Sequence, residues 1–347
     1  MPEAPQIKAG VFSGLARYLD DLSVPIQAVF ADAGLPSSEA WLNSDTVPLA
    51  EAADLLESAA RISGDRDFGL NFSNKVMPGS SGVLGQIQAS APTVRDVVMA
   101  TEKFSPLAVA ASTVTWTLKA EGGTLTPALP LQFGPVRRQL TDLLFAVLLN
   151  RIRAGAGEVW YPRQITLMTS RPLDDRMSRN VFGPRAIYAA PNFSIFIENE
   201  VLDRPLPQKI LGLFETIEPI AEQQLREVRK STSIINVVRA VVLELLACDE
   251  TVSLEPVARR LDLSVRALQW KIEREESSFE NIVLMVREEL ADGYLRDEGL
   301  TMSEISGRLG FSEPSAFARW VRQNFDMSPT ERRRTLLSDE DNSSATA

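Results

Sequence analysis

The chain has 347 residues, 44% hydrophobic and 24% charged, with a formal net charge of −10, which suits two or three domains of ordinary globular composition. It holds no histidine and one cysteine, Cys248, which removes the usual general base, histidine-activated nucleophiles, internal disulfides and cysteine zinc clusters. Carboxylate and lysine chemistry stay open, but the expectation is no enzyme, no catalytic site, no metal and no other cofactor. The longest apolar run, Leu143–Leu149, is seven residues, far short of the about 18 that a membrane-spanning helix needs. The opening MPEAPQIKAG has no basic block followed by an apolar one, so no signal peptide is expected. The expected location is cytoplasmic, with no membrane partner.

In chain order, Val11, Leu15, Tyr18, Leu19 and Leu22 fall at helical spacing, and Pro25 opens a second short helix ending at Gly34-Leu35-Pro36. Pro48-Leu49 starts a helix through Ile62, and two more follow near Gly82–Gln88 and Thr93–Lys103. Ser112–Lys119 alternates and is rich in β-branched residues, so it reads as a strand, with Glu121-Gly122-Gly123 as the turn after it. Pro135 opens a long helix closed by Gly155 or Gly157, whose apolar face either packs on the sheet or self-associates. Strands are expected at Gln164–Thr169 and Phe193–Ile197, around a helix near Asp174–Phe182. Leu206 to Arg229 reads as helix again. Residues 1–230 thus read as an α+β N-terminal sensor or dimerisation domain with a small sheet. Residues 231–336 read as an all-α C-terminal domain, and 337–347 as a disordered tail.

The C-terminal domain carries an internal repeat, SLEPVARRLDLSVRALQWKI from Ser253 and TMSEISGRLGFSEPSAFARWV from Thr301. Each copy opens on a capping Ser or Thr, and Thr301 with Glu304 makes a capping box. Each places a small residue, Ala258 or Ser306, four positions before a turn residue able to take positive φ, Asp262 or Gly310. A second capping serine, Ser264 or Ser312, then begins another helix. Helix, tight turn and helix make a helix-turn-helix, here at 253–274 and 301–325. The stretch from Phe279 to about Leu295 reads as one helix of roughly 25 Å. That rod sets the second helices of the two units near one DNA turn apart, roughly 34 Å. Two helical hairpins in a plain bundle are the alternative.

The second helix of each unit is the expected reader of double-stranded DNA. Residues 250–336 carry 13 basic and 16 acidic side chains, so contact must come from a local positive face. The reading helices supply one: Arg266, Lys271 and Arg274 against Glu273, then Arg319 and Arg322 against Glu313. Arginine forks to guanine and glutamine to adenine, which makes Arg266, Gln269 and Arg319 candidate base readers.

Ser253 to Arg334 resembles the DNA-binding domain of the AraC family of bacterial regulators. The resemblance is carried by SLEPVARRL, SVRALQ, the VREELADGYLRD spacer, and LGFSEPSAFARW followed by Met-Ser-Pro. It implies base contacts from Arg266, Gln269 and Trp270 in the first reading helix and Ser315 and Arg319 in the second. Lys271 and Arg322 complete the DNA-binding candidates. Trp270 departs from the family's frequent basic residue, which leaves it facing DNA or packed inward. Roughly Gly14 to Pro219 is similar to the arabinose-binding-type N-terminal domain found before this reader in one subgroup, through VPLAEAADLLESAARISGDRDFGL, GVLGQIQASAPTVRDVV and NEVLDRPLP. That resemblance implies a small-molecule effector, self-association as a homodimer, and an activator acting on RNA polymerase.

Effector-site candidates are weak: Trp116 and Tyr188 in an apolar cavity or in plain core, Arg137 and Arg138 as an anion site or a solvated helix face. Cys248 reads as a small core residue. The alternatives are a ligand-independent regulator whose N-terminal domain only self-associates, an enzyme fused to a DNA reader, and an interaction module with a decayed reader.

Overall fold

The computed structural model describes residues 4–36, 38–129, 137–169, 171–190, 192–206, 212–247, 250–297 and 299–345, with side chains as far as Ser338. Pro135 and Cys248 lie outside the described residues.

The N-terminal half begins with β1 (Gln6–Lys8), then α1 (Leu15–Asp21), α2 (Ile26–Asp32), α3 (Ser38–Leu42), β2 (Thr46–Pro48), α4 (Leu49–Ser63) and α5 (Phe68–Ser73). It continues with α6 (Gly82–Ser90), α7 (Val94–Phe104), β3 (Thr113–Lys119), β4 (Gly122–Ala128) and α8 (Arg138–Ala156). It closes with β5 (Gln164–Thr166), α9 (Arg176–Phe182), β6 (Ser194–Glu198), α10 (Asn199–Leu202) and α11 (Leu213–Ser231). The expected strand from Gln164 therefore ends at Thr166. The helix expected from Leu206 starts at Leu213 among the described residues.

Strands β1 and β2 form a small antiparallel pair, and the main sheet is antiparallel in the order β3-β4-β6-β5. Lys119 pairs with Gly122, so the hairpin turns at Ala120-Glu121. Gly122 and Gly123 are strand residues, which corrects the turn expected there. They are glycines because a Cβ on Gly122 would stand 2.1 Å from the Ile197 carbonyl oxygen, and one on Gly123 2.1 Å from the Trp116 ring.

Helix α8 lies between two cores. Leu140, Leu143 and Val147 pack with the α1–α5 layer, while Phe145, Ala146, Leu149 and Ile152 pack toward the sheet. A helix apolar on two flanks needs cover on both. Phe145 stacks on Phe193 of the segment leading into β6, ring centroids 3.5 Å apart. The apolar face of α8 is thus covered within the chain and packs on the sheet. On the far side, α6, α7 and α11 enclose a third cluster around Phe104, Ile217 and Leu225.

The C-terminal half is all helical among the described residues: α12 (Ile234–Ala247), α13 (Leu254–Arg260), α14 (Val265–Arg274), α15 (Phe279–Arg296), α16 (Met302–Arg308), α17 (Pro314–Phe325) and α18 (Pro329–Ala345). The backbone of α18 runs to Ala345 and so extends through much of the stretch expected to be a disordered tail. One core, including Val241, Leu245, Leu268, Ile282, Val286, Phe317 and Val321, unites α12 with both helical pairs and the spacer. No helix among the described residues is long and apolar enough to cross a membrane.

Candidate nucleic-acid interface

Each helical pair is built by local chemistry. Ser253 occupies the N-cap of α13, but its hydroxyl makes no capping bond and instead donates to Glu255 at 3.3 Å. Asp262 takes φ +54° at the turn, a left-handed conformation that a short polar side chain tolerates. Ser264 caps α14 by accepting from the Ala267 N–H at 3.2 Å. In the second pair Thr301 and Glu304 form the expected reciprocal capping box at the start of α16. Gly310 takes φ +74°, and Ser306, 1% exposed, lets the two helices close on each other.

Ser312 does not cap α17. Glu313 holds the N-cap without a side-chain bond, and Pro314 follows at the first helical position. Proline has no N–H to leave unsatisfied there, and its fixed φ suits the first turn, so the start moves one residue on.

The spacer α15 has 18 residues and is about 27 Å long. Ser278 caps it through the Asn281 N–H at 3.1 Å, and Ile282, Val283, Val286, Leu290 and Ala291 are buried along it. A second capping box, Ser328 with Glu331, begins α18. Arg332 binds Asp292 of α15 with two hydrogen bonds, 2.9 and 2.6 Å. Arg333 donates to the carbonyl of Leu295 in the last turn of α15 and to those of Asp297 and Leu300 just past its end. Sequence reasoning missed this role for the basic run Arg332–Arg334; the spacing Ser328-x-x-Glu331 was the available signal.

Leu268 and Ile272 turn α14 inward, and Phe317 and Val321 do the same for α17. The opposite faces are free: Arg266, Gln269, Trp270 and Lys271 are exposed on α14, and Ser315, Arg319 and Arg322 on α17. Trp270 is 54% exposed, with the Arg274 guanidinium 4.8 Å from its ring, so it does not pack inward. Ser315 donates to Glu313 at 3.1 Å.

The effector candidates do not form one site. Arg137 pairs with Asp54 of α4 at 3.1 Å, and Arg138 pairs with Asp142 at 2.7 Å and Asp67 at 2.5 Å. Burial pushes the Asp142 carboxyl up to about 6, although Arg138 pulls it down. Burial likewise pushes Glu57, beside them, up to about 7. Both arginines are thus occupied by neighbouring carboxylates. Trp116 lies half-buried over Gly123, and the Tyr188 hydroxyl hydrogen-bonds Ser178 at 2.9 Å. None of the four lines the cleft of about 1010 Å³ between the two halves of the chain.

Residues 24–206 match the family model described as the arabinose-binding domain of AraC transcription regulator, N-terminal, and residues 257–335 match a helix-turn-helix domain. The chain is 23% identical over 269 residues to the ornithine utilization regulator of Pseudomonas aeruginosa, covering 78% of this chain and 79% of that protein. It is 36% identical over 81 residues to the HTH-type transcriptional regulator VirS of Mycobacterium tuberculosis, covering 23% of this chain and 24% of that protein. The transcriptional regulator CdpR of P. aeruginosa aligns in structure with 18% identity and a TM-score of 0.41, over 89% of this chain and 96% of that one. On the match across 24–206 and the paired helix-turn-helix behind it, the chain belongs to the AraC family of DNA-binding transcription regulators, with an arabinose-binding-type N-terminal domain.

Proposed function

We propose that the chain is a cytoplasmic, sequence-specific activator that sets α14 and α17 into successive major grooves and recruits RNA polymerase, under control of a small effector bound by the N-terminal domain. The observation that carries the DNA reading is the pair of exposed polar faces on α14 and α17, both held on one core by the α15 strut. Arg266, Gln269 and Arg319 read base edges, Ser315 assists, and Lys271 and Arg322 hold phosphates. Trp270, exposed beside Arg274, contacts a sugar or a thymine methyl. Self-association as a homodimer places a second copy on the same promoter.

The test is a competition gel shift with a duplex selected from a random library by the full-length chain. Arg319→Ala weakens binding to that duplex by roughly 1–3 kcal/mol and relaxes one base position. Equal loss on unrelated duplexes makes Arg319 a phosphate contact instead. Failure of the wild-type chain to enrich any duplex removes the reading altogether.

A ligand-independent regulator is favoured by one observation: Arg137 and Arg138 are already neutralised by Asp54, Asp67 and Asp142. Thermal unfolding across a metabolite library separates the two readings, because an effector raises the midpoint by mass action.

A further inference from the structure

The repeat that defines the two helix-turn-helix units aligns Val257 with Ile305 and Ala258 with Ser306, and therefore Arg260 with Arg308. Neither arginine is on a reading helix; Arg308 touches the N-terminal domain directly, and Arg260 holds the carboxylate, Glu244, that does. Arg260 ion-pairs with Glu244 of α12 and holds Glu250 at 2.7 Å. Glu244 is only 3% exposed. It accepts hydrogen bonds from two hydroxyls of the N-terminal sheet, Thr115 at 2.8 Å and Thr113 at 3.4 Å. Arg308 donates to the Ala189 carbonyl of the N-terminal domain, with its guanidinium 5.5 Å from the Tyr294 ring. Ala189 takes φ +52°, a conformation unfavourable for a residue with a Cβ unless its surroundings hold it there.

An apolar seam accompanies these two polar points. Leu243, Leu246, Leu290 and Tyr294 of the reader meet Leu129 and Phe193 of the N-terminal domain around a small cavity of about 40 Å³. A buried carboxylate is costly to leave short of donors, so the β3 hydroxyls, which add to the Arg260 pair, favour the docked arrangement. The first reading helix lies beside this contact. Trp270, Lys271 and Arg274 line the cleft of about 1010 Å³, which Thr113 and Lys230 line as well. A space of that size takes a small molecule, whereas α14 must enter a major groove about 12 Å wide with phosphates on both sides.

We propose that Glu244, held by Arg260, and Arg308 form a two-point latch docking the DNA reader on the N-terminal domain, and that the latched arrangement is the weaker DNA-binding state. The inference rests on α14 and α17 being the DNA-facing helices. Opening the latch shifts the population toward a state in which the Trp270–Arg274 side of α14 is clear of the N-terminal domain. An effector acting on β3 or on the segment around Ala189 would then reach the two units through equivalent side chains.

The test uses the full-length chain, a duplex it has selected from a random library, and an unrelated duplex of equal length. Thr115→Val keeps the shape of the side chain and deletes the hydroxyl, whereas Thr115→Ser keeps the hydroxyl. Thr115→Val and, independently, Arg308→Gln bind the selected duplex roughly three- to tenfold more tightly than wild type, in keeping with one charge-assisted hydrogen bond lost from the docked state. Thr115→Ser binds as wild type does. Hydrogen exchange rises in β3 and α12 of Thr115→Val while the α4–α8 core stays protected. If both folded variants bind with unchanged or lower affinity, the latch is overturned. If Thr115→Val fails to fold, Arg308→Gln decides. If the wild-type chain selects no duplex, the DNA reading beneath the latch falls with it.

Discussion

Arg332 of α18 meets Asp292 of α15 through two hydrogen bonds at 2.9 and 2.6 Å, with both side chains less than a quarter exposed. The pair ties the last helix to the strut between the two units. Arg332 also lies 4.6 Å from the Phe325 ring at the end of α17, so one side chain braces α17 against the strut. Arg332→Ala is expected to destabilise the reader by about 1–3 kcal/mol, because Asp292 loses its fork-shaped partner in a part-buried place. Arg332→Lys recovers only part of the loss, since an ammonium cannot form the same two bonds. Urea unfolding followed by circular dichroism measures both.

The two turns predict opposite responses. Asp262 takes φ +54° where the second unit has glycine. Asp262→Gly removes a Cβ penalty at a modest cost in unfolded-chain entropy, so the net change is expected within about 1 kcal/mol and on the stabilising side. Gly310→Ala goes the other way by about 1–2 kcal/mol, because a Cβ there meets both φ +74° and Leu246 at 3.2 Å. Thermal midpoints of the two variants against wild type check the sign of each.

Lys271 is exposed on α14, and in its proposed role as a phosphate contact it would act alike on every sequence. Lys271→Ala is expected to weaken selected and unrelated duplexes by similar factors. It also lowers the slope of log affinity against log salt by about 1. Titrations across a salt series measure that slope, and a loss confined to the selected duplex would make Lys271 a base reader.

Glu57 provides a pH dependence. Burial raises its carboxyl from 4.5 to about 7, although it accepts the Gln139 backbone N–H. Between those values the folded protein holds a proton that the unfolded chain has released. Its contribution to stability is therefore fully present below about 4.5 and is lost as pH rises through about 7, by about 1–3 kcal/mol. Glu57→Gln keeps an acceptor for Gln139 and removes the titration. The variant is expected to gain stability over wild type at pH 8 and little at pH 5, as read from denaturant midpoints at the two values.

The paired units were legible because their signals are local. Thr301 with Glu304, Gly310, Asp262 and Ser264 each act within one turn of chain, so spacing alone places them. What escaped depends on distant partners. Gly122 and Gly123 look like a turn, yet they are glycines because β6 and Trp116 press against them. The short elements α3, α5 and α10 span 4 to 6 residues each, too few to show a helical period. The Asp54 and Asp67 partners of Arg137 and Arg138 lie about seventy or more positions away, whereas Asp142, four residues after Arg138 on the same helix, was a legible partner. The DNA-facing candidates needed no long-range knowledge, since exposure follows from which residues α14 and α17 turn inward.

Helix α8 gives up Leu143 and Val147 on one flank and Phe145 and Ile152 on the other. A fragment of the N-terminal half that stops after α8, without β5 and β6, or that begins after α5, strips one of those flanks bare. Neither piece then has a reason to keep α8 folded. The first two hundred or so residues should consequently melt in a single transition, and damage to either layer travels to the other along this one helix.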